Sequence, residues 1–430
     1  MSKRKVLYIC HNHPSLHPGG AETCALELYE AMRASDEFEP IFLARIGSTS
    51  SIERPPHPGT PFSTVSAVNG DKNQYFIHTE MSDFDMFYLS LRNKDIYTVH
   101  FHEFLAAHQP DIVHFQHTHY LGYDLIRQVR NTLPDAPIVY TLHEYLPICH
   151  RHGQMLRTHN HELCRESSPL RCHECFPDIS SQTFFMRKRF IQSHFSLVDL
   201  FLSPSHFLID RYVVWGIPRE KIRYEENGRR AVQPIPDSED ERPRNRIGFF
   251  GQFSLIKGVN VLLKAMDILS EYECNVHLWL HGANLELQPQ AFQNEFNALF
   301  EVTRKNVTLV GRYEQAELPR LMANIDWVVV PSIWWENAPL VIQEAFMHGR
   351  PVICSDIGGM AEKVTHGVNG LHFRAHDPMS LAETIRHAVG TPGLWERLRS
   401  GIPEVYKIED QVVALTEIYR TLHDRQIAQR

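Results

Sequence analysis

The stretch Pro331-Ser332-Ile333-Trp334-Trp335-Glu336-Asn337-Ala338-Pro339-Leu340-Val341-Ile342-Gln343-Glu344-Ala345 decides the fold. The apolar run Trp327 to Val330 ahead of it reads as a buried strand, and Pro351-Val352-Ile353-Cys354-Ser355 begins a second one. Between them a helix is expected to start near Pro339. Strand, short loop, helix, strand is the unit that points helix N-terminal amides at an anionic ligand. Pro339 has no N–H, so the donors at that terminus are Ala338, Leu340 and Val341. Glu336 falls in the loop and Glu344 about one turn into the helix, where each could hold a hydroxyl group. A surface loop and an ordinary helix with solvated glutamates would show the same residues, so the segment has to be weighed with its surroundings.

Outward from this unit, short β-rich runs alternate with helical patterns. Strands are expected at Val6–Cys10, Pro40–Ala44, Asp111–Gln116, Ile138–His143, Leu200–Ser205 and Ile222–Asn227. A second set runs through Arg246–Gln252, Asn275–Gly282, Val307–Arg312, Trp327–Ser332 and Pro351–Asp356. Ala21–Met32 places Ala21, Ala25, Leu28, Tyr29 and Met32 on one helical face. This alternation predicts open parallel sheets with ligands at the carboxyl ends of the strands. Residues 46–82, rich in Ser, Thr, Pro and Gly, read as long loops. Gln233 to Arg244, proline-rich and charged, reads as a linker.

The expected domains are 1–235, carrying a Cys/His-rich insertion at about 149–176, then 236–405, then a helix over 406–430 that closes the second domain or crosses back to the first. At 430 residues two domains are the default. A composition of 43% hydrophobic and 22% charged residues is that of a globular protein. The net charge of −8 argues against nucleic-acid binding. No apolar run reaches bilayer-spanning length, and the apolar start is interrupted at His11-Asn12-His13-Pro14, so a cytoplasmic protein is expected.

Three loops support the opening segment. Phe249-Phe250-Gly251-Gln252-Phe253-Ser254-Leu255-Ile256-Lys257-Gly258 is a strand end, a glycine turn and a lysine placed to reach a phosphate, or else a solvated loop lysine. Asp356-Ile357-Gly358-Gly359-Met360-Ala361-Glu362 and Pro18-Gly19-Gly20-Ala21-Glu22 each put a glycine pair after a strand, allowing close backbone approach.

Taken in order, Gly19-Gly20-Ala21-Glu22, Tyr140-Thr141-Leu142-His143-Glu144, Asn227-Gly228, Gly251-x5-Lys257-Gly258, Pro331-Ser332, Glu336-x7-Glu344 and Gly358-Gly359-x2-Glu362 resemble the retaining glycosyltransferases of family four. The resemblance implies an α/β, GT-B fold of two facing Rossmann-like domains with a deep interdomain cleft. It implies that Glu344 binds the nucleotide ribose and Glu336 the donor sugar. Ser332, Asn337, Ala338, Pro339, Leu340, Val341, Gln252 and Lys257 would surround the diphosphate, with Gly19 and Gly20 near it. His143, Glu336 and Lys257 are the expected catalytic set. His143 would act at the sugar by positioning or stabilising; taken alone, it could equally be a hydrogen-bonded histidine ending a strand. Gln252 stands where the family usually has arginine, and Arg229 or Arg230 is a candidate substitute, the alternative being a solvated basic pair.

The activity implied is metal-independent transfer of a sugar, with retention, from a nucleotide-sugar donor to a glycan or lipid-linked acceptor in surface polysaccharide biosynthesis. No cofactor is expected for catalysis. Peripheral membrane contact, at the inner face of the membrane, would follow from a lipid-linked acceptor. A catalytically silent nucleotide-sugar-binding scaffold and a nucleotide-sugar epimerase of the same fold are the competing readings.

A second constellation is independent of the first. Cys149, Cys164, Cys172 and Cys175 lie among several histidines, and the spacing Cys172-His173-Glu174-Cys175 suits a structural zinc held by four thiolates. Reduced buried thiols come next, disulfides last. In His114-Phe115-Gln116-His117-Thr118-His119, His114 is expected to point inward and His117 and His119 toward the acceptor side.

Overall fold

The computed structural model describes residues 3–17, 19–47, 64–68, 70–232 and 242–428. It contains two compact units, Met1–Arg230 with Tyr406–Arg430, and Ala231–Val405. The expected boundary between residues 235 and 236, and most of the expected linker, lie outside the described residues.

The first unit is built on an eight-stranded sheet: β1 Arg4–Cys10, β2 Phe38–Ile46, β3 Val65–Val68, β4 Asp71–His78, β5 Ile112–Phe115, β6 Ile138–Thr141, β7 Leu200–Ser203 and β8 Ile222–Tyr224. The strand order is β8-β7-β6-β5-β1-β2-β4-β3, parallel except for β3 against β4. From β1 the chain passes through helix α1, Gly20–Met32, to β2 on one side, then later returns to β5 on the other. The order of strands therefore reverses between β1 and β5. That is where an open α/β sheet offers a crevice to a ligand. β1, β5 and β6 are near-continuous apolar runs because helices cover both faces.

The second unit repeats the plan with β9 Arg246–Phe250, β10 His277–His281, β11 Val307–Gly311, β12 Trp327–Val330, β13 Val352–Ser355 and β14 Gly370–Phe373. All pairs are parallel in the order β11-β10-β9-β12-β13-β14, so the reversal lies between β9 and β12. Helix α2, Val259–Glu271, comes after β9, and helix α3, Leu340–Met347, links β12 to β13 with Pro339 as its N-cap. Trp327, Val329, Ile247, Leu262 and Met266 share the core beneath this edge.

The last helix, α4, Ile408–Ala428, belongs to the first unit. Its Ile408, Leu415, Ile418 and Tyr419 are buried in one cluster with Tyr8, Leu28 and Phe42. Residues 46–82, read as loops, in fact carry β3 and β4; residues 48–63 and 69 lie outside the described set. In Asp71-Lys72-Asn73-Gln74-Tyr75-Phe76-Ile77-His78 only Phe76 and Ile77 are buried, which hides the strand from an apolar-pattern reading. Among the described residues no helix is long and apolar enough to cross a membrane.

Candidate functional site

At the carboxyl ends of β9 and β12, two loops bring together the residues that the sequence set far apart. Glu336 Oε1 accepts from Lys257 Nζ at 2.6 Å, from the Ser332 hydroxyl at 2.8 Å and from Trp334 Nε1 at 3.0 Å. The carboxylate is nearly buried, 8% exposed against 30% for the lysine, so it is held by a charge-assisted pair and two neutral donors. The Trp334 ring also lies 5.8 Å from the Lys257 ammonium. Three of the expected residues, Lys257, Ser332 and Glu336, thus form one polar cluster.

Glycines make this convergence possible. Gly258 has φ +71°, and a Cβ there would stand 1.8 Å from the Pro331 carbonyl oxygen. A Cβ on Gly359 would stand 1.4 Å from the Asn337 carbonyl oxygen, and the Gly359 amide donates to the Glu336 carbonyl at 2.8 Å. The close approach anticipated at Gly359 is therefore made to the Glu336–Asn337 backbone, fixing the loop from beneath.

Glu344 is buried on α3 and accepts from Gln315 Nε2 at 3.0 Å. Ala338, Pro339, Leu340 and Val341 lie at the start of that helix, whose first-turn amides have no intrahelical acceptors. Gln252 is exposed just after β9, where it brings no charge.

The first unit carries a different chemistry at its own reversal point. His11 and Asn12 come directly after β1, Gln116 to His119 after β5, and His143 and Glu144 after β6. His11 Nε2 lies 3.0 Å from Glu22 Oε1, and His117 Nε2 lies 3.5 Å from Glu144 Oε1. The rings of His11 and His117 are 4.1 Å apart. Burial, reinforced by the nearby His117, lowers His143 to about 3, so its imidazole is neutral. Burial would raise Glu22, but His11 outweighs it and holds the carboxyl at about 2. Gly19 is the N-cap of α1, and a Cβ there would meet Glu22 Oε2 at 2.4 Å. The glycine thus makes room for the Glu22 carboxylate, which curls over the helix start; Gly20, the first helical residue, is exposed.

Among the described residues no group of three or more His, Cys, Asp or Glu is placed to hold a metal ion. Cys149, Cys164, Cys172 and Cys175 are free thiols, and burial keeps two of them protonated: it raises Cys149 to about 11 and, with the neighbouring Cys149 and Cys164, raises Cys172 to about 12. Cys164 Sγ lies 3.3 Å from the Glu166 carbonyl oxygen. Arg229 and Arg230, candidates to replace a diphosphate cation, instead pair with α1. Arg229 meets Glu27 at 3.3 Å, and Arg230 meets Glu30.

His114 points inward, as expected, and is fully buried; His117 is nearly so and His119 partly. The residues not anticipated are Trp334 and Gln315, which orient the two glutamates, and His11, Gln116 and Tyr419 in the first unit. Of these, His11 was the most accessible to sequence reasoning, since it comes directly after an apolar strand.

A family model described as Glycosyl transferases group 1 matches residues 244–390, and one described as Glycosyltransferase Family 4 matches residues 18–229. Spore coat protein SA of Bacillus subtilis is 26% identical over 181 residues, 41% of this chain and 48% of that protein, so the chain spans about half the length of that relative. Among solved structures, Anabaena HepE in complex with UDP has a TM-score of 0.64 at 17% identity, covering 97% of this chain and 100% of that one. Sucrose-phosphate synthase from Thermosynechococcus elongatus gives 0.71 at 17% identity, covering 98% and 100%. At that identity the likeness is one of fold, the GT-B fold. Matched by the two family models over most of its length, the chain belongs to the family 4, group 1 glycosyltransferases, a family of transferase enzymes.

Proposed function

We propose that this protein moves a sugar, with retention of configuration, from a nucleotide-diphosphate donor to a hydroxyl of a glycan or lipid-linked acceptor, in surface polysaccharide biosynthesis. The observation that carries this reading is the cluster of Lys257, Ser332 and Glu336 beside the N-terminus of α3, with Glu344 one turn further on. It combines a cation and helix amides for a diphosphate with two carboxylates for hydroxyl groups. Anabaena HepE, of the same fold, is in complex with UDP, which supports a nucleotide as ligand.

Departure of the nucleotide builds positive charge at the anomeric carbon and negative charge on the leaving phosphate. Lys257 and the amides of Ala338, Leu340 and Val341 are assigned to the phosphate charge, which fixed dipoles stabilise without reorganisation. Glu344 takes the ribose hydroxyls and Glu336 the sugar hydroxyls, with Ser332, Asn337 and Trp334 holding the loop. His143, neutral, serves the reacting sugar as a hydrogen-bonding and positioning group. The departing phosphate accepts the acceptor's proton in a front-face displacement.

One observation favours a second reading, a silent nucleotide-sugar-binding scaffold: Gln252, exposed and uncharged, stands where the resembled pattern has a second cation. Incubation with a panel of sugar nucleotides decides between them. Slow hydrolysis of one donor is the expected result; tight binding with no turnover of any panel member establishes the scaffold.

A further inference from the structure

Behind His143 runs a buried chain of polar side chains that ends on the C-terminal helix. His143 Nε2 lies 3.2 Å from Gln116 Oε1. Gln116 Nε2 lies 3.2 Å from His114 Nε2, which also sits 2.7 Å from the Thr141 hydroxyl. His114 Nδ1 lies 2.6 Å from the hydroxyl of Tyr419 and 3.4 Å from Gln116 Nε2, so the Gln116 amide rests against the ring as a whole, and the Tyr419 hydroxyl donates to Tyr8 at 3.2 Å. Gln116 is 3% exposed, and His114, Tyr419 and Tyr8 are fully buried.

With the Tyr419 proton on Tyr8 and the Gln116 amide oriented as it stands, one pattern of hydrogens follows. Because the Tyr419 proton goes to Tyr8, the Tyr419 oxygen must accept from His114 Nδ1–H. His114 Nε2 then accepts from the Thr141 hydroxyl, and the Gln116 amide N–H rests against the electron-rich ring. With its amide nitrogen turned to His114, Gln116 presents its oxygen to His143, which must donate Nε2–H. All the donors point the same way, from His143 toward Tyr8, so the links polarise one another. Both histidines are neutral, since burial lowers His114 and His143 to about 3, and a neutral ring can answer a tautomer constraint.

We infer that Gln116, His114 and Tyr419 form a positioning relay that fixes His143 as its Nε2–H tautomer, making the C-terminal helix, some three hundred residues away in sequence, a determinant of the reacting group. This inference rests on the assignment of His143 to the reaction, but its first test does not. The ring of Tyr419 packs on Phe38, with centroids 5.5 Å apart, so Tyr419→Phe removes the hydroxyl while keeping the shape.

The experiment is ¹⁵N-histidine NMR of the full chain, with the His143 signal identified by its loss in His143→Gln, alongside kinetics on the panel donor that is turned over. Wild type should show His143 protonated at Nε2. Tyr419→Phe should admit a substantial Nδ1–H population and lower kcat about tenfold with donor KM within twofold. Gln116→Met, which cuts the chain next to His143 without touching the C-terminal helix, should do the same with a larger loss of kcat. A wild-type ring protonated at Nδ1, or a tautomer unchanged in both variants, overturns the relay. If no panel donor is turned over, the proposed reaction fails while the tautomer measurement still decides the relay.

Discussion

The two units share a topology yet arm their sheet edges differently. In the second, the reversal between β9 and β12 carries full charges, Lys257, Glu336 and Glu344. In the first, the reversal between β1 and β5 carries imidazoles: His11, His117 and His119 past the strand ends, with His143 just after the next strand. The charged edge suits a ligand that brings its own charge, such as a diphosphate, because each fixed group answers a fixed group. The imidazole edge suits neutral hydroxyl groups, which need donors and acceptors of defined direction. One plan of strands thus serves two kinds of recognition by changing only the loop residues at the strand ends.

The largest effect that separates the two edges is on stability in acid. Burial lowers His114 and His143 to about 3, His119 to about 2 and His150 to about 4 in the first unit, whereas among the described residues of the second His281 is lowered to about 4. Each of these groups binds a proton near pH 6.5 when unfolded but not when folded, so stability falls as pH drops below 6.5. From pH 7 to pH 5 a fully buried histidine such as His114 costs roughly 2 kcal/mol. His143, His119 and His150, partly exposed, add less each; burial also lowers His11, His13, His108 and His194 in the first unit and His277, His348 and His372 in the second, so among the described residues the first unit should lose more than the second. Glu22, held at about 2, does not change this window, because its contribution is lost only below about pH 4.5. Of the six tryptophans only Trp215 lies in the first unit. In an acid titration, loss of far-ultraviolet circular dichroism should therefore precede the main change in tryptophan fluorescence. Coincident transitions would show that the imidazole edge carries no special acid lability.

A smaller effect, read on activity, tests whether both edges serve the reaction. Glu336→Ala leaves Lys257 without its 2.6 Å partner and removes the proposed sugar-hydroxyl acceptor; His143→Ala removes the neutral group just after β6. Each should lower kcat by about a hundredfold, or about 2.7 kcal/mol, while the circular dichroism spectrum is kept. Near-normal turnover in both variants would sink the assignment of either edge to sugar transfer.

Much of this can be read from the chain because parallel strands buried on both faces announce themselves as apolar runs: Trp327–Val330, Val352–Ser355 and Ile138–Thr141 lie within a residue or two of their expected ends. Glu336, Glu344, Lys257 and His143 are legible because each lies just past such a run or near the start of the next helix. β4 is not, since six of its eight residues are only partly buried or exposed and polar residues dominate its first half. The Tyr419–His114 contact is invisible for a different reason, since nothing local in either segment specifies a partner more than three hundred positions away. The cysteines are a different case. Their spacing suits a metal, but whether thiols ionise depends on burial, which spacing does not report.

The smallest effect sharpens the charged edge. Gln252 is exposed after β9, in the loop that also carries Lys257, so Gln252→Arg would restore the second cation of the resembled pattern without disturbing the core. An exposed arginine facing a diphosphate gains little more than a surface ion pair does, roughly 0.5 to 1 kcal/mol. Donor dissociation constants measured by calorimetry should accordingly fall two- to fivefold at low salt. The gain should vanish near 0.5 M salt, where the screening length drops to about 4 Å. A gain that survives high salt would point to a specific bidentate contact instead of a field effect, and no gain at either salt would place Gln252 away from the diphosphate. The same substitution should leave the histidine-lined edge untouched, with the His143 tautomer and the acid transition of the first unit unchanged, because Gln252 and His143 lie on different units.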